Sequence, residues 1–214
     1  MTSPPRPRPS PVVLEGRYAR LEPLALAHAQ GLYRASSDPG SFEYLFDAPP
    51  ANLADMRAWI ERYVRSEEPL FHAVIDRPSG EPTGRQSLMR IVPEHGVIEI
   101  GNILWGPAIA RTRVATEAFY LAARYAFDEL GYRRFEWKCN DRNEPSKAAA
   151  LRFGFTFEGV FRQHMWVKGA NRDTAWFAII DRDWPAIRSA FERWLDPANF
   201  DATGRQNARL AVRA

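Results

Sequence analysis

Cysteine is almost missing from this chain of 214 residues. Cys139 stands alone, so no intrachain disulfide can form, and a reducing, cytoplasmic setting is expected. Lysine is nearly as scarce: Lys138, Lys147 and Lys168 are the only ones, so arginine carries almost all of the positive charge behind the net +3. Those arginines are spread along the chain, which argues for a solvated surface and against a nucleic-acid partner. The histidines at 28, 72, 95 and 164 lack ligand spacing, and no metal site is expected. No apolar run approaches transmembrane length and no signal-peptide core is visible, so no membrane association is expected. Internal repeats are absent, and so is the glycine pattern of a P-loop or dinucleotide fingerprint.

Hydrophobic residues make up 45% of the chain, enough for one domain with a full core. Met1–Pro11, with five prolines and two arginines, reads as an extended, poorly ordered arm (1–11). The domain is expected over 12–195, and 196–214, which lose periodicity, as a loosely packed tail. Strands are expected at Val12–Leu14 with Arg17–Pro23, Leu70–Asp76, Arg85–Val92, Val97–Trp105, Arg134–Cys139, from Phe155, and at Thr174–Ile180. Helices are expected at Leu24–Ser36, Asn52–Glu67, from Arg113, in a short piece ending at Gly154, and after an Asp183 cap.

Gly96–Gly131 organises the rest. Its strand carries Gly101, which marks a bulge or a close backbone approach. Thr112 is the expected N-cap, and Val114, Ala118, Leu121, Ala122 and Tyr125 form one apolar helix face. A helix N-terminus delivered straight from a strand offers unpaired N–H groups, and Arg111 and Arg113 add charge. That is a phosphate site, or else an ordinary βα unit with solvated arginines. With the second strand the segment makes a right-handed βαβ unit, and a ligand belongs at the carboxyl ends of its strands.

The segments IEIGNILW, RTRVATEA, NEPSKAAALRFGF and FEGVFRQHMWVKG, the last followed by DTAWFAIIDRDWP, stand in this order. Together they resemble the GCN5-related N-acetyltransferases (GNAT), in the branch that includes ribosomal-protein N-terminal acetyltransferases. The resemblance runs from Val12 to Leu195. It implies an α/β fold: a mixed, mainly antiparallel sheet with a splayed parallel central pair and flanking helices. It implies acetyl-CoA as co-substrate, with the pantetheine arm in the gap between the parallel strands. The pyrophosphate would lie on Arg111, Thr112, Arg113, Val114, Ala115 and Thr116. The chain departs from the family in having Arg113 where glycine is usual, and Ala110 where glutamine or arginine is usual.

Acetyl transfer needs a polarised thioester carbonyl, a neutral amine and a proton for the leaving thiolate. Backbone N–H groups freed by a bulge near Ile103, Leu104 and Trp105 would polarise the carbonyl. By resemblance, Asn143 contacts the pantetheine amide, Ser146 protonates the sulfur and Lys147 lies near the nucleotide phosphates; the plain alternative is that NEPS only caps a helix. For the general base, Glu99 either lines the cleft or pairs with an arginine. The carboxylate usual in this branch falls on Met165, which leaves its neighbour His164, a water chain or substrate-assisted transfer. Phe42, Tyr44 and Phe46 either cap the core or, on the family plan, wall the acceptor pocket with Trp176.

The expected reaction is acetyl transfer from acetyl-CoA to a primary amine, preferentially a protein or peptide α-amine. At pH 7 an α-amine of pKa about 7.7–8.0 is roughly a tenth to a fifth neutral, whereas a lysine is only about 0.04% neutral. A small-molecule amine, such as an antibiotic or polyamine, and a non-catalytic CoA-binding module are the alternatives. The oligomeric state stays open, a homodimer included.

Overall fold

The computed structural model describes residues 4–212, and one eight-stranded sheet runs through it. The strands are β1 (Leu14–Glu15), β2 (Ala19–Pro23), β3 (Leu70–Asp76), β4 (Glu81–Val92), β5 (Val97–Trp105), β6 (Arg134–Asn140), β7 (Thr156–Val167) and β8 (Ala170–Ile180). The helices are α1 (Ala29–Ala35), α2 (Leu53–Tyr63), α3 (Arg113–Arg124, continued by a wider π turn at Tyr125–Glu129), α4 (Glu144–Arg152) and α5 (Trp184–Trp194). Strand order is β1-β2-β3-β4-β5-β6-β8-β7, and β5–β6 is the parallel pair in an otherwise antiparallel sheet.

That pair is short. Val97–Ile100 lies beside Arg134–Trp137, and beyond those residues the two strands part. The cause lies in their outer neighbours. β5 stays on β4, but between Gly101 and Leu104 it carries more residues than β4 offers, so Asn102 and Ile103 bulge and Asn102 takes φ 51°. β6 meanwhile follows β8 as far as the pairing of Asn140 with Thr174. Gly101 has its own reason: a Cβ there would come within 2.5 Å of the Met89 sulfur.

One face of the sheet carries the main core. α3 buries every residue from Val114 to Ala123, more than one face, because α5 and the chain's last segment also cover it. Phe119 stacks on Phe153 at 4.4 Å, and Phe191 of α5 stands 5.5 Å from it. Glu117 is buried as well, and its carboxylate accepts the backbone amides of Arg17, Tyr18 and Ala19 at 2.9, 2.5 and 2.6 Å. On the other face α1 and α2 close a smaller core of Leu24, Leu32, Met56, Ile60 and Phe71.

Several boundaries differ from expectation. The helix expected over Leu24–Ser36 opens as a 3-10 turn, Leu26–His28, before α1. α2 ends at Tyr63 rather than Glu67. β4 starts at Glu81, ahead of Arg85. Asp183 opens α5 but its side chain makes no capping hydrogen bond. The terminal segments lie against the domain: the Arg6 amide donates to Pro93 O, and the Ser10 amide to the Tyr125 hydroxyl, both at 3.0 Å. Phe200 meets Tyr18 and Trp194 edge-on at 5.6 and 5.0 Å, and Leu210 and Val212 pack on the main core. The rest of the expected arm (1–3) and tail (213–214) lies outside the described residues. Among the described residues no helix is long and apolar enough to cross a membrane.

Candidate active site

Where β5 and β6 part, a cleft of about 700 Å³, mouth included, opens between them. Its walls come from the parted strands, the start of α4, the loop before α2, and Arg172 of β8. The bulge presents Asn102 and Ile103 to it. Leu104 and Trp105, expected to share in the freed backbone, are back in register with Arg85 and Gly84. Trp105 gives its Nε1–H to Gln86 at 3.2 Å. The freed stretch is therefore Asn102–Ile103 rather than Ile103–Trp105.

Across the gap, Asn143 caps α4 by accepting the Ser146 amide at 3.1 Å. The Ser146 hydroxyl oxygen accepts the Trp137 indole N–H at 3.0 Å and lines the cleft. An indole N–H can only donate, so the serine proton is not spent on Trp137. Cys139 is beside it, and burial pushes the thiol's pKa up. Lys147 is drawn back onto its own turn, donating to Asp141 O at 3.0 Å and to Glu144 at 2.9 Å.

At the start of α3, Thr112 is the N-cap and accepts the Val114 amide at 3.2 Å. The Thr116 amide reaches Thr112 O at 3.2 Å. Among the described residues no backbone carbonyl accepts the amides of Arg113 and Ala115, as in any first helical turn, or that of Arg111 just before the cap. Arg111 holds φ 64° in the turn. Arg113 does not add its charge there as expected: its guanidinium lies over the Tyr18 ring at 4.4 Å, with Phe200 at 5.3 Å.

Glu99 is buried and bridges two cations, Arg90 at 2.9 Å and Lys138 at 2.7 Å. Of its two expected positions, cleft lining and ion pairing, it has both. Lys138 also binds Glu136 at 2.6 Å and sits 3.9 Å above the Trp176 ring. His164 gives its Nδ1 to a 3.0 Å hydrogen bond with Thr174 Oγ1. It reaches there because β7 bulges between Phe161 and Met165, with Gln163 at φ 52°. Burial, and after it the charges of Arg90, Arg172 and Lys138, lowers the His164 pKa; Glu99 offsets part of this. The imidazole is neutral near pH 7.

Of the aromatic residues, Tyr44 and Phe46 line the cleft, while Phe42 is buried and caps the core. Trp176 lies under Lys138, with Phe161 stacked on it at 4.3 Å. The Lys168 ammonium at the β7–β8 turn donates to Phe42 O at 2.7 Å, tying that turn to the aromatic loop. Arg90, Asn102, Lys138 and Arg172 also line the cleft and were not singled out from the sequence. One signal was available: Arg134, Glu136 and Lys138 alternate with Phe135 and Trp137, a charged face on a buried strand.

A family model for the acetyltransferase (GNAT) domain matches residues 19–156. The solved structure of a GCN5-related N-acetyltransferase from Brucella melitensis is 54% identical, covers 96% of this chain and 95% of its own, and superposes with a TM-score of 0.94. An uncharacterized N-acetyltransferase, p20 of Bacillus licheniformis, is 26% identical over 77% of this chain and 93% of its own length. A shorter stretch, 33% of this chain and 39% of the relative, is 32% identical to YdaF of Bacillus subtilis, provisionally named a ribosomal N-acetyltransferase. The GNAT fold uses acetyl-CoA, and the family joins it to an amine acceptor. With the parted parallel strands and the open helix N-terminus already in place, the domain match means that the chain belongs to the GNAT family and is an acyl-CoA-dependent acyltransferase.

Proposed function

We propose that this protein moves an acetyl group from acetyl-CoA to a protein or peptide α-amine. The observation that carries this reading is the state of two basic groups, Glu99 in the cleft wall and His164 behind that wall beside Trp176. Glu99 is held by two cations, and His164 is a neutral imidazole of lowered pKa. Such a site deprotonates a weakly basic amine more readily than a lysine. The partial likeness to YdaF supports the same direction.

The residues present fit acetyl-CoA. The free amides of Arg111, Arg113 and Ala115 suit a pyrophosphate, and the gap beyond Ile100 and Trp137 admits a narrow chain. Acetyl-CoA supplies a thioester whose C–S bond breaks as the C–N bond to the amine forms. Asn102–Ile103 offers backbone donors toward the carbonyl oxygen. Asn143 caps α4 and so fixes Ser146, whose hydroxyl proton passes to the departing sulfur and is replaced from solvent. His164 takes the proton lost by the amine, and Thr174 holds the ring in orientation. Tyr44 and Phe46 wall the acceptor.

Thiol release is to be followed with an α-amine peptide, its Nα-blocked lysine counterpart, a polyamine and an aminated antibiotic. The α-amine peptide should be turned over fastest. Equal rates on the two peptides would sink the α-amine preference, and turnover of the small amines alone would make this a small-molecule enzyme.

A further inference from the structure

Arg172 is a buried cation with no ion pair among the described residues; Glu99, already held by Arg90 and Lys138, acts on it only at a distance. It is 7% exposed, and its Nε is sealed from solvent with no acceptor. Its guanidinium lines the cleft and lies 5.1 Å from the Phe46 ring. Among the described residues no carboxylate, carbonyl or hydroxyl hydrogen-bonds it. Its neighbours are served differently: Lys138 has Glu99 and Glu136, Arg90 has Glu99, and Arg85 has Asp47. The cleft is lined by three cations, Arg90, Lys138 and Arg172, against the single carboxylate of Glu99, and the first two already share it. Burial works against the charge, yet a guanidinium keeps its proton in proteins. A buried charge with no counter-ion is expensive, and the expense is relieved when a ligand brings the anion.

The anion does not belong to the cofactor's phosphates. No residue from 107 to 116 lines the cleft that Arg172 faces; the groups there are those assigned to the thioester, Asn102, Ile103 and Ser146, and the acceptor walls Tyr44 and Phe46. The guanidinium's planar fork matches a carboxylate. We propose that Arg172 receives a carboxylate of the acceptor, so that the preferred substrate is a peptide whose first or second residue is Asp or Glu. This rests on the α-amine reading above and specifies it.

The test compares peptides that differ only by Asp against Asn, or Glu against Gln, at positions 1 and 2. The acidic member should be favoured about tenfold in kcat/KM, the worth of one charge-assisted hydrogen bond. Arg172→Gln should bring that ratio close to one, with the acetyl-CoA Kd within twofold, and Arg172→Lys should keep part of it. Equal kcat/KM for acidic and amide peptides on the natural protein overturns the proposal. So does Arg172→Gln lowering both peptides alike with the ratio kept, or a raised acetyl-CoA Kd, which would give the anion to the cofactor. If thermal melting shows Arg172→Gln unfolded, the natural protein and Arg172→Lys decide alone. A parallel pair of Nα-blocked lysine peptides separates the two readings. Acid preference on lysine without α-amine turnover overturns the α-amine reading and keeps Arg172 in its role. α-Amine turnover indifferent to the acid does the reverse.

Discussion

Ser146 differs from an ordinary capping serine in where its proton can go. Its backbone amide serves the Asn143 cap, its oxygen accepts from Trp137, and its own hydrogen faces the cleft and the neighbouring Cys139 sulfur. Ser146→Ala should therefore lower kcat by about two orders of magnitude, the usual effect of a lost general acid. The Kd for acetyl-CoA should stay within a few-fold, since the hydroxyl acts on charge that appears late. Steady-state kinetics beside calorimetry decides, and lost binding with kcat intact would reduce Ser146 to a helix residue. His164 makes a different forecast. Because its pKa is lowered from the ordinary imidazole value, it is neutral over the range in which an α-amine titrates. The rise of kcat/KM over that range then belongs to the α-amine, whose pKa is about 7.7–8.0. His164→Ala should lower the whole profile and leave its shape. A variant as active as the natural protein would remove His164 from the mechanism, and a changed inflection between pH 6 and 8 would mean that the histidine titrates there.

At the scale of elements, the strand–turn–helix of β5 and α3 was legible because its signals are local: Gly101, the Thr112 cap and the apolar period all lie within a few residues of what they determine. The same holds for Asn143 on α4. The excess residues of β7 before Met165 were not legible, because a bulge is set by the partner strand's register and leaves no period of its own. Arg113 was misread for a related reason: Tyr18 and Phe200, which take its guanidinium, are remote in sequence. Its backbone is a separate matter and gives a clean test. Arg113 is the first residue of α3, where proline is tolerated, and Thr112 already has the extended backbone that proline asks of its predecessor. Arg113→Pro thus deletes one free amide, while Arg113→Ala deletes only the side chain. Arg113→Ala should lower Tm and leave the acetyl-CoA Kd near the natural value. Arg113→Pro should weaken acetyl-CoA by a further 1–3 kcal/mol or so, as for a hydrogen bond to a charged group. Calorimetry on the pair reads the difference, and equal affinities would place the pyrophosphate elsewhere.

Across the whole molecule one polar line runs through the sheet: Arg90 on β4, Glu99 on β5, Lys138, Glu136 and Arg134 on β6, and Glu158 on β7. The alternation of Arg134, Glu136 and Lys138 announces the charged face of β6 but not its partners, since Lys138 and Glu99 are 39 residues apart in the chain. Lys138 is its pivot. Glu99 and Glu136 are direct partners in the parallel register, two carboxylates face to face on buried strands. Lys138, two residues further along β6, holds both, at 2.7 and 2.6 Å, from a side chain only 3% exposed. Lys138→Met keeps the length of the side chain and removes the charge that makes this pairing tolerable. Breaking a buried pair by removing one partner costs about 3–5 kcal/mol, because the other charge stays behind uncompensated. Here two stay behind, although Arg90 and Arg134 remain to hold one each. The expected loss is therefore about 3 kcal/mol, at the low end of that range. Adding Glu136→Gln removes the face-to-face repulsion and should recover a large part of it, so the two changes will be far from additive. Urea unfolding of the natural protein, both single variants and the double variant measures this directly, with the slope m unchanged if compactness is kept. If Lys138→Met unfolds at the natural midpoint, the line contributes nothing to holding β5 and β6 together where the cleft begins.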